Sequence, residues 1–143
     1  MSKSFDLRET SSHSPEQSGR SGHYSVSKMP CRSDQGLNRI IMRELEQEGL
    51  SSSVGPVWTM DAVYRETHEK VMKYRDQGVL AVEMEISALM TVASYRSVKM
   101  AGLLTVSDEL FEPKWRRGFS DPSLRKASHL AGKMVLDLVT SLD

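Results

Sequence analysis

The stretch "AVEMEIS" at residues 81–87 sets two glutamates around a methionine, directly after an apolar run. A carboxylate at the end of an apolar run needs a partner or a chemical task, because burying its charge is costly. One task for Glu85 is to accept two hydrogen bonds from vicinal hydroxyls, as on a ribose. Met84 then adds a soft apolar wall against a sugar or an aromatic base. The alternative for Glu85 is electrostatic, since the first turn of a helix favours negative charge. Glu83 reads as a structural, hydrogen-bonded carboxylate. A second acidic position, Asp108, follows Ser107 at the end of "GLLTVSD". Either residue can cap the turn that follows. The chemical alternative for Asp108 is a general acid, because a site that excludes water keeps a carboxyl protonated and able to serve a leaving group. Arg116 and Arg117 lie in the next loop, where they orient Asp108, contact an anion, or stand as solvated charges. Trp115 on the same polar loop suits a lid over a planar ligand. Trp58, Val63 and Tyr64 offer apolar and aromatic surface that serves base stacking and core packing equally well.

These residues need a scaffold, and the hydrophobic pattern from Asp34 onward supplies one. "SDQGLNRIIMRELEQEGL" opens on a cap candidate, Ser33 or Asp34, spaces Leu37, Ile40, Ile41 and Leu45 along one face, and stops at Gly49. "SSVGPVWT" reads as a strand and "YRETHEKVMKYRDQG" as a helix ended by Gly78. "VLAVEM" is a short apolar strand. "EISALMTVASYRS" is a helix with Ile86, Leu89, Met90 and Ala93 inward. "VKMAGLLTVSD" is apolar along most of its length, as suits a strand covered on both faces. After a polar loop from Glu109 to Asp121, the last helix starts at Pro122, a favoured first position. Strands separated by helices imply parallel pairing through crossovers, in an α/β fold with a mostly parallel or mixed central sheet flanked by helices. Ligands in such sheets sit beyond the carboxyl ends of the strands. By that rule Trp58-Thr59, Glu83-Met84-Glu85 and Ser107-Asp108 gather at one rim.

Composition narrows the field. The chain has 143 residues, with nineteen basic and nineteen acidic side chains. That length suits one domain of ordinary size. The charge balance supports neither a nucleic-acid groove nor a membrane-surface patch. The single cysteine, Cys31, cannot form an intramolecular disulfide, which fits a reducing, cytoplasmic setting. No stretch has the length and apolarity of a membrane span. Residues 1–30 are rich in serine and poor in aliphatics, and read as a disordered arm. His13 and His23 in that arm have no metal-type spacing, and no metal site is expected.

The pieces "GPVWTMDAVYRET", "GVLAVEMEISALMTVASYRSVK" and "AGLLTVSDEL" together resemble the carboxyl-terminal half of the nucleoside phosphorylase family, which includes purine nucleoside and uridine phosphorylases and related nucleosidases. The signal is the V-E-M-E tetrad followed at 106–108 by V-S-D. The resemblance runs from Asp34 to Asp143 and implies part of the family's three-layer fold. It implies ribose binding by Met84 and Glu85, with Glu83 as the preceding acid of the motif. It implies a base pocket around Val63, Tyr64, Ser107 and Asp108, with Asp108 protonating the base as the glycosidic bond breaks. Val63 departs from the aromatic residue that many members carry there. The implied activity is that of a pentosyltransferase: phosphorolysis of a purine nucleoside to free base and ribose 1-phosphate. Nucleoside and phosphate are then the partners, with phosphate a co-substrate and no cofactor. The alternatives are a nucleosidase that uses water and a truncated, non-catalytic nucleoside-binding remnant. No phosphate-binding loop is recognisable in the first part, where "QSGRSGH" (Arg20, Gly19 and Gly22) lacks a flanking apolar strand. The chain therefore reads as half of the fold behind an unrelated leader. That implies a homo-oligomer or a complementing chain that carries the missing half.

Overall fold

The computed structural model describes the backbone of residues 7–12 and the whole of residues 32–110 and 115–141. In chain order the elements are β1 (Leu7–Ser12), α1 (Gln35–Gln47), β2 (Ser52–Thr59), a 3-10 turn (Val63–Arg65), α2 (His68–Asp76), β3 (Ala81–Glu83), α3 (Ile86–Tyr95), β4 (Leu103–Thr105), β5 (Asp108–Glu109), β6 (Arg116–Arg117) and α4 (Pro122–Ser141). Four strands form a mixed sheet in the order β3-β2-β1-β4, and β5 with β6 makes a separate hairpin. The fold is α/β, as expected.

α1 and α2 start where the sequence supplies a cap. Asp34 accepts from the Leu37 amide at 2.9 Å. Ser33, the other cap candidate, instead accepts from the Asn38 side-chain amide at 2.7 Å. Thr67 caps α2 by accepting from the Lys70 amide. The expected helix over 64–78 is therefore shorter: its first residues form the 3-10 turn, and Thr67 begins the helix proper. Gly78 ends it with a φ of +78°, a conformation that glycine adopts without strain.

Two apolar clusters hold the layers together. Trp58, Met60, Val71, Tyr74 and Val79 join β2 to α2, with Val82, Met84 and Leu110 packed against them. Leu45, Ala131 and Met134 join α1 to α4, with Leu103 of β4 at their edge. Val57 and Trp58 are consecutive on β2 and both are buried. Neighbouring strand residues point to opposite faces, so both faces of β2 are covered there. Leu89, expected inward on α3, is 51% exposed, whereas Ile86, Met90 and Ala93 are buried. The inward face of α3 is thus narrower than its apolar content suggested.

Two expectations need correction. Leu7–Ser12 lies in the segment read as a disordered arm, yet it forms β1, parallel to β2 on one side and antiparallel to β4 on the other. "LRETSS" has little to bury. Partners on both edges let main-chain hydrogen bonds select the strand where local composition argued against it. The remainder of that arm, with His13, His23 and the "QSGRSGH" stretch, and Cys31 after it lie outside the described residues. The second correction concerns the rim; the sheet is mixed, as the fold class allowed. β1, β2 and β3 are mutually parallel, but β4 runs antiparallel, with Thr105 opposite Leu7 at the start of β1. Strand direction alone therefore does not bring the end of β4 to the rim formed by β2 and β3. β4 also spans only Leu103–Thr105, where the apolar run had suggested a strand over 98–108.

Candidate functional site

Thr59 and Glu83 stand opposite each other in the pairing of β2 with β3. The Thr59 hydroxyl donates a short hydrogen bond to Glu83 Oε1. Glu83 Oε2 accepts from the amides of Glu85 and Ile86, each at 2.6 Å. The Thr59 oxygen in turn accepts from the Ser87 amide at 3.2 Å, and the Met60 amide donates to the Glu83 carbonyl at 2.9 Å. The first turn of α3 is thus tied to the ends of both strands by one carboxylate and one hydroxyl. Orphan amides at a helix start need such acceptors, and a negative charge there is favoured. Both Glu83 oxygens are engaged with the protein, the structural position expected for it.

With Glu83 in that position, Glu85 sits at the cap of α3 without a side-chain capping bond of its own, and it is exposed. Its carboxylate is left to face solvent. Met84 is half-buried and packs on the cluster under β2 and β3. Val63 and Tyr64 lie on the 3-10 turn and are 69% and 83% exposed. Trp58, by contrast, is core: it packs on Tyr74 with ring centroids 4.5 Å apart.

Asp108 opens the hairpin. The Ser107 hydroxyl donates to its Oδ1 at 2.5 Å, and the Trp115 indole N–H donates to its Oδ2 at 2.7 Å. Asp108 pairs with Arg117 across the hairpin, and Glu109 with Arg116. The arginines do not orient Asp108 through their side chains. Arg116 forms a salt bridge with Glu109 at 3.2 Å, and the Arg117 guanidinium lies 4.4 Å from the centre of the Trp115 ring. Trp115 also meets Phe119 edge-on at 6.4 Å. The loop residue that grips Asp108 is therefore Trp115.

Tertiary contacts draw Asp108 toward the β2–α2 connection. Leu110 packs on the same apolar cluster as Met84. Glu66, in the turn before α2, feels the Asp108 charge. Burial, reinforced by that charge, raises its carboxyl above the ordinary glutamate value. Glu66 Oε1 is buried and has no hydrogen-bond partner among the described residues. Sequence reading missed Glu66 because it assigned residues 64–78 to one helix with solvated charges. The signal available was the Thr67 cap, which places Glu66 ahead of the helix. Among the described residues no three His, Cys, Asp or Glu side chains cluster as metal ligands. A cavity of about 430 Å³ lies elsewhere, along α1 and β2, and shares no residue with the rim.

The model of the phosphorylase superfamily matches residues 3–140, a span that takes in the serine-rich leader as well as the later motifs. Over 65 residues the chain is 49% identical to the DeoD-type purine nucleoside phosphorylase of Bacillus cereus, a match covering 46% of this chain and 28% of that enzyme. Among solved structures, a uridine phosphorylase from Vibrio fischeri is 26% identical with a TM-score of 0.60, covering 70% of this chain and 42% of that one. A purine nucleoside phosphorylase from Toxoplasma gondii superposes with a TM-score of 0.74 at 16% identity, covering 94% of this chain and 54% of that one. An AMP nucleosidase from Bacteroides thetaiotaomicron gives a TM-score of 0.71 at 20% identity, covering 98% and 57%. The chain spans about half the length of these solved relatives. No described helix is long and apolar enough to cross a membrane. A family match that runs nearly from end to end places the chain in the phosphorylase superfamily.

Proposed function

We propose that this chain carries the ribose- and base-handling part of a nucleoside phosphorylase that cleaves purine nucleosides to free base and ribose 1-phosphate in the cytoplasm. The observation that carries the reading is the superfamily match over residues 3–140. Glu85 accepts the sugar hydroxyls, and Met84 forms the wall beneath the sugar. The Glu83–Thr59 contact fixes the turn on which both residues sit. Positioning of this kind supplies much of the catalysis when a bond breaks through an oxocarbenium-like state. A phosphate oxygen bonds to the anomeric carbon, the glycosidic electron pair leaves with the base, and a proton reaches the base from the Asp108 end of the site. Phosphate is a co-substrate, and no cofactor takes part. Val63, Tyr64 and Ser107 border the base. Trp115, with Arg116 and Arg117, forms the cover on that side. The preference for purine is supported by the identity to purine nucleoside phosphorylases.

Phosphate contacts come from a second copy of the chain or from a complementing chain. Exposed apolar residues along α3 and α4, such as Val92, Tyr95, Leu136 and Val139, support such an assembly. The test is turnover of inosine, adenosine and uridine by the folded chain, with and without phosphate. Base release from inosine or adenosine only with phosphate, together with ribose 1-phosphate, is the expected result. Equal base release without phosphate would replace the reading with a nucleosidase. A second reading is a nucleoside-binding protein without catalysis. Calorimetric binding of inosine with no turnover under either condition would establish it.

A further inference from the structure

We propose that Phe119 is the aromatic wall against which the base lies, and that it sets a preference for a large planar base. The role rests on the nucleoside reading above and falls to a residue that reading does not use. Phe119 is 60% exposed and belongs to neither apolar cluster, so core packing does not explain it. Its neighbours fix it beside Ser107 and Asp108. The Trp115 ring, which meets Phe119 edge-on at 6.4 Å, donates its indole N–H to Asp108 at 2.7 Å. Gly118, immediately before Phe119, lies so close to the Ser107 carbonyl that a Cβ would press into it. The Asp121 amide donates to the Gly118 carbonyl at 2.9 Å and closes the turn that leads into α4. Trp115 itself has little left to offer a ligand. Arg117 covers its ring at 4.4 Å, and its N–H is engaged with Asp108. The other side chains that border the base are less suited to the task. Val63 is aliphatic, and Tyr64 lies on the exposed 3-10 turn with no ring partner among the described residues to fix its plane. Phe119 combines an open ring with a backbone held at Gly118. A phenyl ring meets a heteroaromatic base by offset stacking or edge to face, and a larger base offers it more surface. The wall therefore favours a bicyclic base over a monocyclic one.

The experiment titrates the full chain, as wild type, Phe119→Ala and Phe119→Leu, with hypoxanthine, uracil, inosine and ribose 1-phosphate in a calorimeter. Phe119→Ala is expected to weaken hypoxanthine and inosine by roughly 10-fold, and uracil by less, through loss of the ring contact and its apolar surface. Affinity for ribose 1-phosphate, which carries no base, should not change. Phe119→Leu keeps apolar volume but removes the ring, so it should weaken the same ligands. In turnover, KM for inosine should rise with kcat nearly unchanged, because the wall holds substrate and transition state alike. The melting temperature should stay at the wild-type value, since the ring is exposed. Phe119→Leu that binds hypoxanthine as wild type does overturns the assignment. An equal loss for ribose 1-phosphate also overturns it, marking Phe119 as a support of the hairpin alone. Wild type that binds hypoxanthine more tightly than Phe119→Leu, yet releases no base from inosine, removes phosphorolysis and upholds the wall. Wild type that binds neither inosine nor hypoxanthine removes the nucleoside reading and the role of Phe119 together.

Discussion

Glu83 reaches from the end of β3 to Thr59 at the end of β2, and the same carboxylate receives the first free amides of α3. One acidic side chain thereby sets the angle at which Met84 and Glu85 leave the sheet. Glu85 is left free of capping duty because Glu83 performs it.

Replacing Glu83 by Gln puts an amide N–H₂ where an acceptor is required, facing either the Thr59 hydroxyl or the helix amides. Leaving these partly buried donors unmatched costs about 1 kcal/mol. Glu83→Gln should therefore lower the urea midpoint by that equivalent, and Thr59→Val should do the same by a smaller amount. Because the two share one hydrogen-bond network, the double variant should lose less than the sum of the singles. Additive losses would show that Thr59 and Glu83 act separately.

Much of this scaffold was legible in the sequence, and the exceptions have physical causes. The cap at Asp34, the inward Ile86 and Met90, and the polar cluster after β3 follow from local chemistry that periodicity and capping rules detect, whereas the Thr67 cap was overlooked within the longer helix expected over 64–78. β1 was illegible because its pairing with β2 and β4 is a long-range feature that local composition does not carry. The antiparallel course of β4 was missed because alternation of helices and strands carries no information about a strand that reaches the sheet beside β1. At the site, Glu83's structural part could be anticipated from its place after an apolar run. The hold of Trp115 on Asp108 could not, since it depends on a hairpin inside what read as an irregular loop.

Trp115→Phe separates the indole N–H from the ring. The phenyl ring can still lie beneath Arg117, while Asp108 Oδ2 loses its donor. The contact is solvent-exposed, so its loss changes stability little. If Trp115 positions Asp108 for the reaction, kcat/KM for inosine should fall by roughly 10–100-fold, with thermal stability nearly unchanged. Equal activity in Trp115→Phe and wild type would reduce Trp115 to a surface cover.

Gly118 lies against the Ser107 carbonyl, and a methyl group there would press into that oxygen. The obstacle is backbone, so it cannot swing aside as a flexible side chain would. Gly118→Ala should open the β5–β6 hairpin, cost about 1–3 kcal/mol, and displace Asp108 from Trp115. The measurable signature is a combined fall in urea midpoint and a change in Trp115 fluorescence, which Gly132→Ala should not reproduce, since nothing lies near the added methyl there.

The pH dependence of stability should carry contributions of opposite sign from two acids. The Asp34 carboxyl is held below its ordinary 3.8, chiefly by the hydrogen bond from the Leu37 amide. Its contribution is present above that ordinary value and is lost as pH falls through the lowered folded value. Glu66 is raised above its ordinary 4.5 by burial and by Asp108. Its contribution is full below that ordinary value and is lost as pH rises through the raised folded value, because the folded state binds the proton more tightly than the unfolded chain. Asp34→Asn should therefore flatten the acid side of a melting-temperature-versus-pH curve, and Glu66→Gln the side above the ordinary glutamate value. Each should leave the other's slope in place, because the cap of α1 and the turn before α2 share no hydrogen bond. If Glu66→Gln flattened the acid side instead, Glu66 would be a carboxylate stabilised in its charged form, and burial would not be what governs its proton.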